Sequence, residues 1–264
     1  MAELFIELFS EEIPAKLQID IRQRIKQAIE EKLKKKEINF KLSQSFSTPK
    51  RLVFYVGGVP EKIEQKKKII KGPKIEAPAK ALEGFIKSNS LKKSEIYKKK
   101  IDKGEFYFAE IKSKNIDIFE ELQTIIPETL KTYSWKKSMK WSNYDLSWGR
   151  PLRSIIALFN SKVIPFNFFH LKSDNLTFIE GANEEKIKKI KNFKSYLGAL
   201  QSENIILDQE IRKALILKRM NNICNAKDLK NNFNEGLIEE VINLVEKPNV
   251  ILCKFNEVYL KIPK

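Results

Sequence analysis

Leu4–Phe9 is an apolar run interleaved with acidic residues, and the alternation predicts a strand. Pro14 follows at a position where a first-turn proline is tolerated, opening a helix predicted to run to about Lys36. Along it Leu17, Ile21, Ile25, Ala28, Ile29 and Leu33 recur at three- and four-residue spacing, so one face is built to pack. Phe40–Phe46 and Leu52–Val59 read as two more strands on either side of a Thr48-Pro49 turn. A strand–helix–strand–strand unit of this kind predicts an α+β fold rather than a doubly wound parallel sheet.

Beyond residue 60 the pattern becomes mixed. Glu61–Lys71 is a lysine-rich connection, and Gly72, Pro73 and Pro78 mark a boundary. Ala79–Lys87 and Ser94–Tyr97 read as short helical pieces, while Ile96–Ile101 and Phe106–Lys112 predict a hairpin around Asp102, Lys103 and Gly104. Ile118–Tyr133 is an amphipathic helix that Pro127 is expected to kink or split. Asn160-Ser161 reads as a turn into a strand over Val163–Leu171, and Gly57-Gly58 as a turn between strands. From Lys186 the pattern is mainly helical, with strands expected at Asn204–Leu207 and Val250–Phe255. The predicted organisation is a unit at 1–60, a basic linker at 61–78, a hairpin-containing α+β region at 79–175 and a mainly helical α/β region at 176–264.

Composition narrows the functional classes. A chain of 264 residues, 42% hydrophobic, can bury a sizeable core, and its longest apolar runs are only strand-length, which argues against a membrane span. The start lacks a basic n-region, and Cys224 and Cys253 lie in unrelated contexts, so a reduced, cytoplasmic protein is expected. A net charge of +16 points to an anionic partner, with nucleic acid the leading candidate. An A/T-rich genome would also enrich lysine without functional demand. The seven arginines, Arg22, Arg24, Arg51, Arg150, Arg153, Arg212 and Arg219, are therefore more telling, because a planar fork is not interchangeable with a point charge.

Candidate chemistry concentrates in residues 139–159. Trp141 and Trp148 flank a short polar connection, and Arg150 and Arg153 lead into the apolar Ile155–Phe159. Two readings fit: a core strand pair with aromatic plugs and snorkelling arginines, or a rigid hairpin aiming a guanidinium fork and an indole at a phosphate-bearing partner. On the second reading Lys136, Lys137, Lys140, Trp141, Arg150 and Arg153 form the main nucleic-acid candidate, with Lys50 and Arg51 beside the Thr-Pro turn as another. Lys66–Lys68 and Lys98–Lys100 read as solvated edges. Glu11 and Glu12 read as electrostatic capping of the following helix. His170 is the sole histidine and reads as satisfied or strand-surface. No Walker-type loop or acid–base pair is visible, so no catalytic residue, metal or cofactor is assigned to this chain.

Met139-Lys140-Trp141 with Arg150-Pro151-Leu152-Arg153 resembles a segment of the beta subunit of bacterial heterotetrameric glycyl-tRNA synthetase. Other elements resemble the same family in collinear order: Glu11-Glu12-Ile13-Pro14-Ala15, Thr48-Pro49-Lys50-Arg51-Leu52, Gly72-Pro73, Asp102–Glu105, Ile206-Leu207-Asp208 with Arg212-Lys213, and Pro248 with Phe255–Leu260. The resemblance implies a heterotetramer of two alpha and two beta subunits. In it the alpha subunit uses ATP, Mg and glycine to form glycyl-adenylate, and the beta subunit positions tRNA-Gly. Two departures stand out. The family's Gly-His-Arg-Phe element is missing, since Lys172–Phe178 runs straight into Ile179-Glu180-Gly181. Family members also continue into HD-like and anticodon-binding regions, so a fragment, a split gene product or a reduced paralogue is expected. The alternative function is a stand-alone basic RNA-binding module, or an assembly fragment with no role in aminoacylation.

Overall fold

The computed structural model describes residues 2–63, 68–101, 104–111, 116–180, 184–232 and 234–261. In chain order the first elements are β1 (Ala2–Ser10), α1 (Ala15–Lys35), β2 (Leu42–Ser47) and β3 (Arg51–Val59), the strand–helix–strand–strand unit expected from the sequence. Next come β4 (Lys62–Ile63), β5 (Lys68–Lys74), α2 (Ala79–Ser88), β6 (Ile96–Ile101), β7 (Gly104–Ile111), β8 (Ile116–Asp117) and α3 (Ile118–Thr132). The remainder is β9 (Leu152–Phe159), β10 (Lys162–Val163), β11 (Asn167–Phe168), β12 (Leu171–Asp174), β13 (Leu176–Glu180), β14 (Glu185–Lys189), α4 (Phe193–Gln201), α5 (Gln209–Ala226) and α6 (Glu235–Ile242). The fold is α+β, and it divides into two compact units, 1–60 with 119–264 and 61–118.

In the larger unit β1 is central because its two neighbours lie far apart in sequence. It pairs antiparallel with β3 on one side and with β9 on the other, in the order β11-β12-β9-β1-β3-β2, with β10 also on β9. Flanked on both edges, β1 is apolar on both faces except at Glu3, Glu7 and Ser10. One face carries Phe5, Val53, Ile156 and Leu158, which pack with Tyr196 and Leu200 of α4. The opposite face carries Leu4, Ile6 and Leu8, all buried, and α1 packs along β2 and β3 through a stripe that includes Ile21, Ile25, Ile29 and Leu33. Lys32–Glu128 and Lys36–Glu121 ion pairs join α1 to α3.

The smaller unit is a three-stranded antiparallel sheet, β5-β7-β6, with α2 against β5 and a short β4–β8 pair. Residues 68–74, read from the sequence as part of a basic connection, are thus sheet, and the Gly72-Pro73 joint sits at a register shift inside β5. The expected 96–112 hairpin forms as β6 and β7, while its Asp102-Lys103 turn lies outside the described residues, as do Lys66 and Lys67.

Several expectations are corrected. Gly57-Gly58 is not a turn: both lie in β3, where Gly58 takes φ +76 at the register shift opposite Ala2 and Glu3, a bulge that glycine accommodates. Pro127 does not split α3, which runs unbroken over Ile118–Thr132. The strand expected over Val163–Leu171 is broken into β10 and β11, with β12 returning parallel to β9. Lys186–Lys189 is strand rather than helix, because β13 supplies its ladder partner. Neither 204–207 nor 250–255 forms a strand; both run without a β-partner among the described residues. No helix among the described residues is long and apolar enough to cross a membrane.

Candidate nucleic-acid interface

The tryptophan-bearing segment is pinned at its base. Met139 and Trp148 exchange both backbone hydrogen bonds, at 2.8 and 3.1 Å, closing a loop over 140–147. Trp148 is 1% exposed and meets Trp135 and Phe168 edge-on, with ring centroids 5.1 and 5.7 Å away. Gly149 is needed beside this pair, since a Cβ there would fall 2.3 Å from the Trp135 ring. Trp148 is thus a core plug, and the core reading holds for it. Trp141 is only half-buried, and it lies edge-on to His170, whose ring stacks on Tyr144 at 3.6 Å and 8°. His170 occupies the tight turn between β11 and β12.

The structure pairs three of the predicted cations with the protein's own carboxylates, Arg51 buried and Lys50 and Arg153 partly exposed. Arg51 is buried: Nη1 donates to Glu246 at 2.6 Å, Nε lies 3.2 Å from Glu7, and Nη2 donates to the Phe178 carbonyl. Its guanidinium also sits 4.8 Å from the Phe9 ring centroid. Burial opposes its charge, but Glu246, Tyr196 and Glu7 together raise its pKa above the ordinary value. Arg153 forks onto Glu180 at 3.1 Å and Glu185 at 2.6 Å, with Glu11 at 3.7 Å, and lies against the Phe9 and Phe178 rings. Lys50 joins it on Glu180. The hydrogen bond from Lys50, then the charges of Lys50 and Arg153, hold the Glu180 carboxyl below its usual range despite partial burial. Both arginines lie against aromatic rings and divide their forks between separate acceptors of the protein's own, so neither is bidentate on a single carboxylate. Glu11, read as a helix cap, faces Arg153, and the first turn of α1 contains no acid.

Beneath these pairs lies a buried polar network. Tyr196 and Thr177 donate to Glu7 at 2.6 and 3.0 Å, and Thr48 donates to Glu246. Burial pushes the Glu7 carboxyl above its usual range, although Arg51 and the two hydroxyls pull the other way. Arg212 donates to the carbonyls of Ser47, Ile206, Leu207 and Ile242, and burial brings its pKa down to about 10. The Ile206–Asp208…Arg212 motif therefore has a structural job, stitching α5 to the end of β2. These groups are enclosed and hold the fold together.

The outward cations cluster elsewhere. Arg150 donates only to the Gly149 carbonyl, at 2.8 Å, and no carboxylate pairs with it. It lines a groove of about 480 Å³ with Lys16, Lys136 and Lys137, walled by Pro14, Ala15 and Leu17, with Glu240 as its one acid. Lys136, 65% exposed, lies 3.7 Å from Asp20, and Lys140 lies 3.9 Å from a solvated Asp145. Such surface pairs are worth at most about 1 kcal/mol, so an incoming phosphate can displace the carboxylate. Of the eight predicted residues the fold brings Lys136, Lys137 and Arg150 to one groove and leaves Lys140 and Trp141 on the next loop. Lys16 went unnoticed in the sequence. Its signal was there: a cation in a first helical turn runs against the helix dipole and needs another reason.

A family model described as glycyl-tRNA synthetase beta subunit matches residues 4–264. The whole chain is 35% identical to a glycine–tRNA ligase beta subunit of Rickettsia peacockii (strain Rustic), and 36% identical to those of Rickettsia typhi (strain ATCC VR-144 / Wilmington) and Rickettsia bellii (strain OSU 85-389). In each case the match spans all of this chain and 40% of the relative.

Proposed function

Because the chain belongs to the glycyl-tRNA synthetase beta-subunit family, we propose that it binds and positions tRNA-Gly within a glycine–tRNA ligase whose alpha subunit handles ATP, Mg and glycine. The observation that carries this reading is the unpaired charge at the groove. Arg51, Arg153 and Lys50 are spent on internal carboxylates, whereas Lys16, Lys137 and Arg150 line an open groove with no ion pair among the described residues. Phosphates bound there release counterions, which makes affinity steeply salt-dependent. Phosphate contacts fix register and orientation without reading sequence, and that suits a positioning role. Trp141, half-buried on the neighbouring loop, offers an indole to a base or ribose. This chain then assists glycylation by holding the acceptor nucleic acid, a contribution on the order of 7–11 kcal/mol in favourable cases.

The test is a titration of labelled tRNA-Gly with the purified chain over a salt series. The reading expects a log–log slope of about −0.7 to −0.9 for each phosphate neutralised. No binding at low salt assigns the lysine excess to composition and rejects the reading.

A further inference from the structure

The unit 61–118 contains sixteen of the fifty cations, all lysine, but only nine of the thirty-four carboxylates. Nearly half of the +16 net charge thus lies in little more than a fifth of the chain. Its sheet gives this charge a direction. The registers Tyr97↔Phe108, Lys99↔Phe106, Lys71↔Phe108 and Ile69↔Glu110 place all these residues on one face of β5-β7-β6. The other face is covered at its centre, where Ala109 is fully buried and Phe85 of α2 sits against Gly72, while Lys98, Lys100 and Glu105 remain exposed toward its edge. On the first face Tyr97 is 39% exposed and Ile69 55% exposed.

The aromatic rings and lysines on this face are interleaved. Tyr97 and Phe108 stack with centroids 6.1 Å apart and planes at 25°. Lys71 Nζ lies 3.5 Å from the Phe106 centroid, Lys74 Nζ 5.8 Å from the same ring, and Lys99 Nζ 6.0 Å from that of Phe108. None of these three lysines has a carboxylate partner among the described residues. A protein partner would more commonly bury such rings beneath arginine or apolar residues, and lysine is depleted in the cores of such interfaces. A sheet face with stacking rings and unpaired cations fits unpaired nucleotides instead, since a splayed base offers a π-face and its phosphate a charge. We propose that this face binds single-stranded RNA, with bases stacked on Tyr97 and Phe108 and phosphates met by Lys71, Lys74 and Lys99. The site is independent of the Lys136–Arg150 groove.

The test measures anisotropy of a short labelled oligoadenylate, and of an RNA duplex of the same length, with the whole chain. Tyr97→Leu is expected to weaken oligoadenylate binding by about 5- to 150-fold while leaving the melting temperature unchanged. Should Tyr97→Leu fail to fold, the Lys71→Gln/Lys99→Gln double variant is expected to reduce the salt slope by about 1.4. Lys80→Gln, on α2, leaves affinity unchanged. In a Lys136→Gln/Lys137→Gln background, which lowers tRNA-Gly binding if the groove reading holds, the Tyr97→Leu loss of oligoadenylate affinity is expected to persist at the same fold-change, so failure of the groove and failure of the sheet face are read separately. The proposal is overturned if the duplex binds as tightly as the single strand, or if the sheet-face variants bind oligoadenylate like the parent chain. It is equally overturned if Tyr97→Leu impairs only association with an alpha subunit, which would make the face a protein-docking surface.

Discussion

Replacing Arg51 by methionine separates a fold-building cation from a ligand-binding one. The side chain is 1% exposed and answers two carboxylates, Glu246 at 2.6 Å and Glu7 at 3.2 Å, as well as the Phe178 carbonyl. Methionine fills similar space but leaves both acids facing each other across a dry interior. Removing one partner of a buried pair costs about 3–5 kcal/mol. At roughly 2–4 °C per kcal/mol for a unit of this size, the melting temperature is expected to fall by about 6–20 °C. The pH dependence carries a second signature. Glu7 already has a raised pKa through burial, and loss of Arg51 raises it further. A raised carboxyl favours the folded state fully below its unfolded value and loses that contribution as pH rises through the folded value. The deficit of Arg51→Met is therefore expected to be smallest near pH 4 and to grow toward neutrality, with Glu7→Gln in the same background recovering part of it. Urea melts across pH give the stability, and a tRNA titration on the folded fraction gives the affinity. An unchanged melt together with weakened tRNA binding would refute the assignment.

Three further outcomes follow from the same geometry. Gly149→Ala drives a Cβ into the Trp135 ring and is expected to cost about 1–3 kcal/mol in a denaturant melt; neutral behaviour would mean that the Trp135–Trp148 contact is loose. Glu180 is held below its usual range chiefly by Lys50 and then by Arg153. Its contribution to stability is present above the unfolded value and is lost as pH falls through the folded one, so Glu180→Gln should flatten the acid limb of the stability curve and leave neutral tRNA binding alone. Arg153→Lys keeps the charge but loses the fork onto Glu180 and Glu185, and lowers the melting temperature without changing tRNA affinity per folded molecule.

What was legible in the sequence was local. The three- and four-residue spacing of Ile21, Ile25, Ile29 and Leu33 announced α1, alternation announced β1, and the turn residues at 102–104 announced the β6–β7 hairpin. Glycines and prolines misled where tertiary context decided: Gly58 is a bulge and Pro127 lies within a continuous helix. β14 was hidden because Glu185–Lys189 is mostly charged and acquires its strand identity only from β13. The site was half-visible for a related reason. Arg51 and Arg153 look alike to a reader of motifs, and the acids that neutralise them, Glu246, Glu180 and Glu185, lie between 27 and 195 residues away. Arg150, three residues before Arg153, differs only because no acid is folded onto it. That distinction has no local signal.

The central claim is that the groove cations, unpaired or held only by a weak surface pair, bind tRNA, while Lys50 and Arg153, held by the protein's own carboxylates, do not. The most direct measurement compares tRNA-Gly affinity and salt slope for Lys136→Gln/Lys137→Gln/Arg150→Gln with those for Lys50→Gln/Arg153→Gln, each corrected for folded fraction. The account predicts that the groove variant binds weakly, with a slope shallower by about 2–3, and that the Lys50/Arg153 variant binds like the parent chain. The opposite ranking, or equal loss in both, would contradict it.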